Sequence, residues 1–233
     1  MVMVYNRVDY SFPPLEAASP EGLLAVGGDL SPDRLLSAYR RGIFPWFSQG
    51  QPILWWSPDP RAVLYPAAVH VSRSLRRSLR KSEFSVTTDQ AFGEVIARCA
   101  QNRKDQDGTW ITPEMQDAYI ALHHLGFAHS VETWRAGELV GGLYGVSIGK
   151  AFFGESMFSR VSDASKTALV GLAKALKQSG YRFIDCQIRS AHLDSLGAQS
   201  ISRADFSQAL KDAIAIDEKP RLWDLKINAR ELA

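Results

Sequence analysis

Cysteine, net charge and long apolar runs are all scarce in this chain of 233 residues. The two cysteines, Cys99 and Cys186, have no metal-type spacing. That argues for a reducing compartment and against a disulfide or zinc framework. The net charge is only +2, so affinity for a nucleic acid would have to come from a local patch. The opening stretch, MVMVYNRVDYSFPP, lacks the apolar segment of a signal peptide. The longest uncharged run, Gly42–Pro58, is broken by Pro45, Pro52 and several polar residues and cannot span a membrane. His70, His123, His124, His129 and His192 follow no HExxH-like pattern, so no metal is expected. There is no internal repeat and no low-complexity segment. These absences together predict a soluble, cytoplasmic protein.

What is present is a real core. Hydrophobic residues make up 45% and aromatics 10% of the chain, as in a globular protein of one large or two small domains. Residues 1–62 are rich in Pro and Gly and read as a small N-terminal domain. One short helix is predicted there, with Ser31 as cap, Pro32 in the first turn and Gly42 as stop. Three tryptophans and two phenylalanines crowd Gly42–Arg61. They form either a small aromatic core or a surface on which a ligand stacks.

Residues 63–233 read as a second, α+β domain. Val69–Val71 and Phe84–Thr87 are predicted strands. Ser72 is placed to cap a helix through Lys81, Asp89 one to about Cys99, and Thr112 one ending at Gly126. Gln101–Gly108 is a polar loop. Ala128–Trp134, Glu138–Ile148 and Ala151–Phe158 follow as three antiparallel strands, with hairpin turns at Ala136-Gly137 and Gly149-Lys150. The helix Asp163–Gln178, the buried strand Phe183–Cys186, a short helix over Ser190–Leu196 and an amphipathic helix over Ala204–Ile214 complete the order.

Several groups could carry chemistry. In SRSLRRSLRK, Arg73, Arg76, Arg77, Arg80 and Lys81 gather five positive charges with no acid among them. Four of these arginines share a helix face, where like charges repel. Unless that face is simply solvated, it calls for an anionic partner such as a phosphate backbone. Trp46 and Trp110 sit in loop-like segments, FPWFS and GTWIT, where a flat ring can stack on a base. Glu155 lies within FFGESMFSR, and a carboxylate in apolar company costs several kcal/mol unless it is paired or used. The alternative is an edge strand with Glu155 in water. Asp185 and Gln187, at the end of a buried strand, are a candidate acid/base pair, or a strand end capping the next helix.

These residues, taken together, resemble one family. GLLAVGGDLSPDRLL, YRRGIFPWFS, PILWWSPDPRAVL, GTWIT, AHSVETWR, ELVGGLYGV, FFGESMFSR, ASKTAL and IDCQ with SLGA are similar to leucyl/phenylalanyl-tRNA–protein transferases, from about Gly22 to Ala198. The resemblance implies transfer of Leu or Phe, and Met less well, from aminoacyl-tRNA to proteins with N-terminal Arg or Lys, marking them for N-degron degradation. It implies a C-terminal domain like that of GNAT acyltransferases, with a mixed sheet. No cofactor is expected, because the tRNA ester is already activated, and the protein is expected to be a monomer. Trp46 and Trp110 then match the residues that hold the terminal adenosine. Arg73, Arg76, Arg77, Arg80 and Lys81 match the helix facing the tRNA stem. Leu143, Met157, Leu169 and Leu172 match the lining of the amino-acid pocket, although some members carry Met and Phe in place of Leu143 and Leu172. Asp185, Gln187 and Glu155 match the polar residues near the reaction centre, with Asp185 as base or orienting group.

Two rival readings differ from this one. An acetyl-CoA enzyme wants a glycine-containing cradle of backbone N–H groups at a helix start, yet Ser159–Ala164 has no glycine and carries Asp163. A non-catalytic RNA-binding adaptor explains the basic helix and the tryptophans, but not an apolar pocket beside Glu155, Asp185 and Gln187.

Overall fold

The computed structural model describes residues 10–101, 110–216 and 224–233. Apart from Gln101, the polar loop expected over Gln101–Gly108 lies outside them. The first part of the chain builds a small antiparallel sheet from β1 (Leu23–Val26), β2 (Phe44–Pro45) and β3 (Leu54–Trp56), in the order β1-β3-β2. Trp55 is its anchor. It is 1% exposed, meets the Phe12 ring edge-on at 4.9 Å and donates from Nε1 to the Gly27 carbonyl at 2.9 Å. Between β1 and β2 runs the predicted helix α1 (Pro32–Tyr39). Ser31 does not cap it. The Ser31 N–H is instead drawn to Asp29 Oδ1 at 2.9 Å, so an Asx turn shapes the entry.

The rest of the chain is organised around a mixed sheet ordered β10-β4-β9-β8-β7-β6-β5-β11. Its strands are β4 (Arg61–Leu64), β5 (Phe84–Thr88), β6 (Ala128–Arg135), β7 (Glu138–Ile148), β8 (Ala151–Ser159), β9 (Phe183–Gln187), β10 (Gln199–Ile201) and β11 (Lys226–Asn228). All neighbours are antiparallel except β8 and β9. The helices are α2 (Arg73–Lys81), α3 (Phe92–Ala100), α4 (Pro113–His124), α5 (Ala164–Gln178), α6 (Ala191–Asp194) and α7 (Arg203–Ile214). The α+β order read from the sequence is therefore present. Residues 62 and 63, where the two expected domains meet, are neighbours within β4.

Alternation along the strands makes two apolar layers. On β7, Leu143 joins the layer of α2 and α5, with Leu75, Leu79, Leu169 and Leu172. Its neighbour Tyr144 joins the layer of α1, α3, α4 and α7, with Val95, Met115, Tyr119 and Phe206. Helix α5 lies close to the sheet at Gly141, where an added Cβ would fall 2.5 Å from that of Ala164.

Two local expectations are corrected. Val69–Val71 is not a strand: among the described residues no strand pairs with it, and the His70 N–H bonds to the Leu196 carbonyl in a loop at 2.9 Å. Asp89 does not cap α3. It takes a left-handed φ of 56° and turns its carboxylate to Ser130 N at 2.9 Å and His129 Nδ1 at 2.7 Å. Glu132, on β6, faces the first turn of α3 in its place and accepts from Gln90 N and Ala91 N, both at 3.4 Å. Asp163 sits at the start of α5 with φ 65° and makes no side-chain cap. Ser72 and Thr112 do cap, accepting from Leu75 N at 3.2 Å and Met115 N at 3.3 Å. The edge strands β10 and β11, three residues each, carry too little alternation to be read from sequence.

Candidate functional site

The site opens where the sheet stops being regular. β8 and β9 pair in parallel only from Ala151 and Phe183 to Phe153 and Asp185. Just beyond, β8 is bulged against β7: Gly145 pairs with Gly154 and Tyr144 with Ser156, so Glu155 has no residue opposite. A bulge re-aims the extra side chain. Gly145 permits it, since a Cβ there would lie 2.1 Å from the Phe153 carbonyl oxygen. β9 is irregular at the same level. Its register against β4 shifts so that Cys186 is skipped, and Gln187 adopts a left-handed φ of 61°. Strain of this kind in a non-glycine residue gathers at functional sites.

These two irregularities face a cavity of about 880 Å³. Leu143, Met157, Leu169 and Leu172 line it, as does Ile184. The four residues expected to surround an amino-acid side chain are thus brought together, on β7, β8 and α5. Glu155, Gln187 and Trp110 line the same cavity, and Gln187 Nε2 donates to Glu155 Oε1 at 3.0 Å.

Glu155 is held from below by two residues that sequence reasoning misses. Tyr39 of α1 donates to Oε1 at 2.8 Å and Tyr119 of α4 to Oε2 at 2.9 Å, and the two phenol groups are hydrogen-bonded to each other. Burial pushes Glu155 up from 4.5 to about 7, against the lowering effect of the Tyr39, Tyr119 and Gln187 hydrogen bonds; the Asp185 charge adds to the rise. Burial likewise lifts Tyr39, Tyr119 and Tyr144 well above the usual phenol value, with the Glu155 charge next in effect. In sequence, Tyr39 reads only as part of the apolar face of α1, and nothing ties it to Glu155 across 116 positions.

Asp185, expected as a base or an orienting group, lies behind the cavity wall. It is 0% exposed and does not line the cavity. Its carboxylate is engaged by Arg61 of β4, from Nε to Oδ1 at 2.8 Å and from Nη2 to Oδ2 at 2.7 Å, and by the Gln187 N–H at 2.9 Å. Arg61 is 1% exposed and lies over the Phe44 and Phe206 rings at 4.8 and 4.6 Å. A buried guanidinium needs an anion, and Asp185 is that anion. An arginine opening the apolar strand RAVL was the available signal for this pair. Cys186, whose side chain reaches the cavity wall, is driven by burial well above the ordinary thiol range and is a poor nucleophile there.

Two expected features stand apart from the cavity. Arg73, Arg76, Arg77, Arg80 and Lys81 line a separate surface concavity of about 390 Å³ along α2. Trp46 is 42% exposed, beside Trp56 at 5.9 Å between ring centroids, and does not line the main cavity. Within the aromatic run of Gly42–Arg61, Trp55 belongs to the core and Trp46 lies outside it. Among the described residues no group of three or more His, Cys, Asp or Glu could hold a metal, and no helix is long and apolar enough to cross a membrane.

The profile described as leucyl/phenylalanyl-tRNA protein transferase matches residues 63–211, and that of the N-terminal domain of the same family matches residues 28–59. A leucyl/phenylalanyl-tRNA–protein transferase of Nitrosomonas europaea is 60% identical over 217 residues, covering 92% of each chain. One from Stutzerimonas stutzeri is 59% identical over 212 residues, covering 90% of this chain and 94% of the relative. The chain belongs to the leucyl/phenylalanyl-tRNA–protein transferase family. It is on that account an aminoacyltransferase. Among solved structures, a GCN5-related N-acetyltransferase from Kribbella flavida covers 73% of this chain and 61% of its own, at 11% identity and a TM-score of 0.34. L-PGS from Bacillus licheniformis covers 69% and 52%, at 11% identity and a TM-score of 0.39.

Proposed function

We propose that this member of the family moves Leu or Phe, and Met less well, from aminoacyl-tRNA to the α-amino group of proteins beginning with Arg or Lys, so marking them for N-degron degradation in the cytoplasm. The observation that carries the proposal is the cavity itself: an apolar end bounded by Leu143, Met157, Leu169 and Leu172 runs into the polar pair Glu155–Gln187. A hydrophobic pocket separates near-isosteres by only ~1–3 kcal/mol, and Met157 adapts its shape easily. Mixed use of Leu, Phe and Met follows.

Trp110 on the cavity wall and Trp46 outside it serve the 3′ adenosine by stacking. The five charges of α2 serve the stem through phosphate contacts, which makes binding salt-dependent. The ester of the tRNA supplies the activation, so the chain needs no cofactor for the transfer. With an α-amino group of pKa about 7.7–8.0, a usable fraction of the acceptor is neutral at pH 7. Gln187 orients this amine beside Glu155. Asp185 acts behind Gln187: by accepting the Gln187 N–H and anchoring on Arg61 it holds the strained end of β9 in place, a positioning role, and the ester oxygen leaves as the ribose hydroxyl with a proton from the amine. A single chain as the working unit completes the reading.

Incubation with labelled Leu-, Phe- and Met-tRNA and a peptide beginning with Arg tests it. Label should enter the peptide from all three, least from Met. Retention of tRNA without transfer would refute the proposal in favour of an adaptor.

A further inference from the structure

Three hydrogen bonds join Tyr39, Tyr119 and Glu155 into a closed triangle: phenol to Oε1, phenol to Oε2, and phenol to phenol. Each hydrogen bond needs its own proton, and each phenol carries one. Two phenol protons satisfy only two of the three sides. The third is filled when Glu155 is the neutral acid. Oε2–H then donates to Tyr119, Tyr119 donates to Tyr39, and Tyr39 donates to Oε1, leaving Oε1 free to accept from Gln187 as well. All bonds then run in one sense around the ring. When the carboxyl ionises, both phenols turn to it and the side between them is left without a proton.

We propose that Tyr39 and Tyr119 make Glu155 an exchangeable proton store, whose ionised form takes a proton from the α-ammonium group of the incoming acceptor. This rests on the function proposed above. The step is balanced. An N–H bond of the ammonium breaks and its electron pair stays on nitrogen. The proton forms an O–H bond on Glu155. The positive and negative charges vanish together, and the open side of the ring closes. The neutral amine then attacks the ester carbonyl, a C–N bond forms, the ester C–O bond breaks, and the ribose oxygen leaves with a second proton from nitrogen. The stored proton passes to solvent before the next acceptor. Glu155 is placed for this, since it is the member of the ring that lines the cavity and meets Gln187.

The titratable groups facing Glu155 come from every side of the ring: Tyr39 from α1, Tyr119 from α4, Tyr144 from β7, and Asp185 with its Arg61 counter-ion from β9 and β4. Burial of the ring places its loss of a proton at about 7, where a physiological acceptor meets both forms. Tyr39 and Tyr119 are positioning residues in this scheme, because they reach the acceptor only through Glu155.

The test is to follow the carboxyl directly in protein labelled with isotopic glutamate, by difference infrared spectroscopy, with Glu155→Gln identifying the band. In the free wild-type protein the protonated-acid band should be present below the inflection and lost as pH rises through about 7. The single-turnover rate at saturating Leu-tRNA should rise through the same inflection, distinct from that of the acceptor amine. Tyr119→Phe and Tyr39→Phe should move that inflection together in the spectrum and in the rate, while the acceptor's own inflection stays fixed. A carboxyl already ionised throughout about pH 6–8 would overturn the proposal without recourse to any variant. So would a rate inflection that stays put while the spectroscopic one moves. Absence of Leu transfer at every pH would instead defeat the proposed function, and the carboxyl titration of the free protein would still be read on its own.

Discussion

Replacing Asp185 with asparagine separates a base from an anchor. Arg61 is 1% exposed, and its bonds to Asp185 are 2.8 and 2.7 Å long. The asparagine amide would keep an oxygen for the Gln187 N–H but would leave the guanidinium buried without an anion. Breaking one side of a buried pair costs about 3–5 kcal/mol. For a chain of this size each kcal/mol lowers Tm by about 2–4 °C. The expected fall in calorimetric Tm is therefore roughly 6–20 °C. The double variant Arg61→Met, Asp185→Asn removes both charges and keeps apolar packing against Phe44 and Phe206, so it should regain most of that fall. Single-turnover transfer at saturating substrates completes the test. With Asp185 as anchor, the double variant should transfer within about tenfold of wild type, because Gln187 keeps its backbone bond. With Asp185 as general base, both variants would lose about 10²–10⁴-fold regardless of stability. A single variant as stable as wild type, or a double variant no better than the single one, would refute the account of Arg61 and Asp185 as a buried pair.

The stability of Glu155→Gln relative to wild type should depend on pH, and the variant should be poor in transfer. A carboxyl raised from 4.5 to about 7 favours the folded state as the neutral acid, fully below about 4.5, and that support is lost as pH rises through about 7. Above that point the ionised form weighs against folding by an amount on the order of 3 kcal/mol, which Gln avoids. Chemical denaturation should show the variant gaining on wild type between about pH 5 and pH 8; parallel curves would contradict the assignment. Gly145→Ala forces a Cβ to within 2.1 Å of the Phe153 carbonyl oxygen. It should cost at least about 1–3 kcal/mol in denaturant melts and should disturb Glu155 through the bulge. Arg76→Ala with Arg77→Ala, both exposed, should leave stability within about 1 kcal/mol of wild type. Measured against salt, tRNA affinity should fall, and the slope of its logarithm should flatten by roughly one for each phosphate no longer neutralised.

The readable parts of this chain are those where one local rule acts alone. The meander β6-β7-β8 announces itself by apolar runs separated by Ala136-Gly137 and Gly149-Lys150, and the structure puts Ala136, Gly137 and Gly149 at positive φ. The caps Ser72 and Thr112 follow the local rule, each accepting from the N–H three residues on, Leu75 and Met115. The rules fail where a distant residue outbids the local one. Asp89 loses the start of α3 to Glu132, far along the chain, because strand pairing of β5 with β6 brings that carboxylate to the helix end. Arg61 takes Asp185 out of solvent from 124 positions away. In both cases a carboxylate is engaged by a group from far along the chain that short-range reading does not see. The chemistry-bearing residues follow the same logic in the opposite direction. Strict two-residue alternation would run β8 straight through Glu155 and leave Gln187 extended at the end of β9, and neither holds: β8 bulges at Glu155 and Gln187 turns to a φ of 61°. The bulge at Glu155 and the left-handed turn at Gln187 are each unfavourable by themselves, and each is held by groups from another strand or helix, Tyr39 and Tyr119 in one case and Arg61, acting through Asp185, in the other. The helix α1 that supplies Tyr39 precedes the large sheet, so the early part of the chain shapes the floor of the cavity at Glu155. It follows that a variant which loosens α1 without touching the cavity should behave as a Glu155 variant.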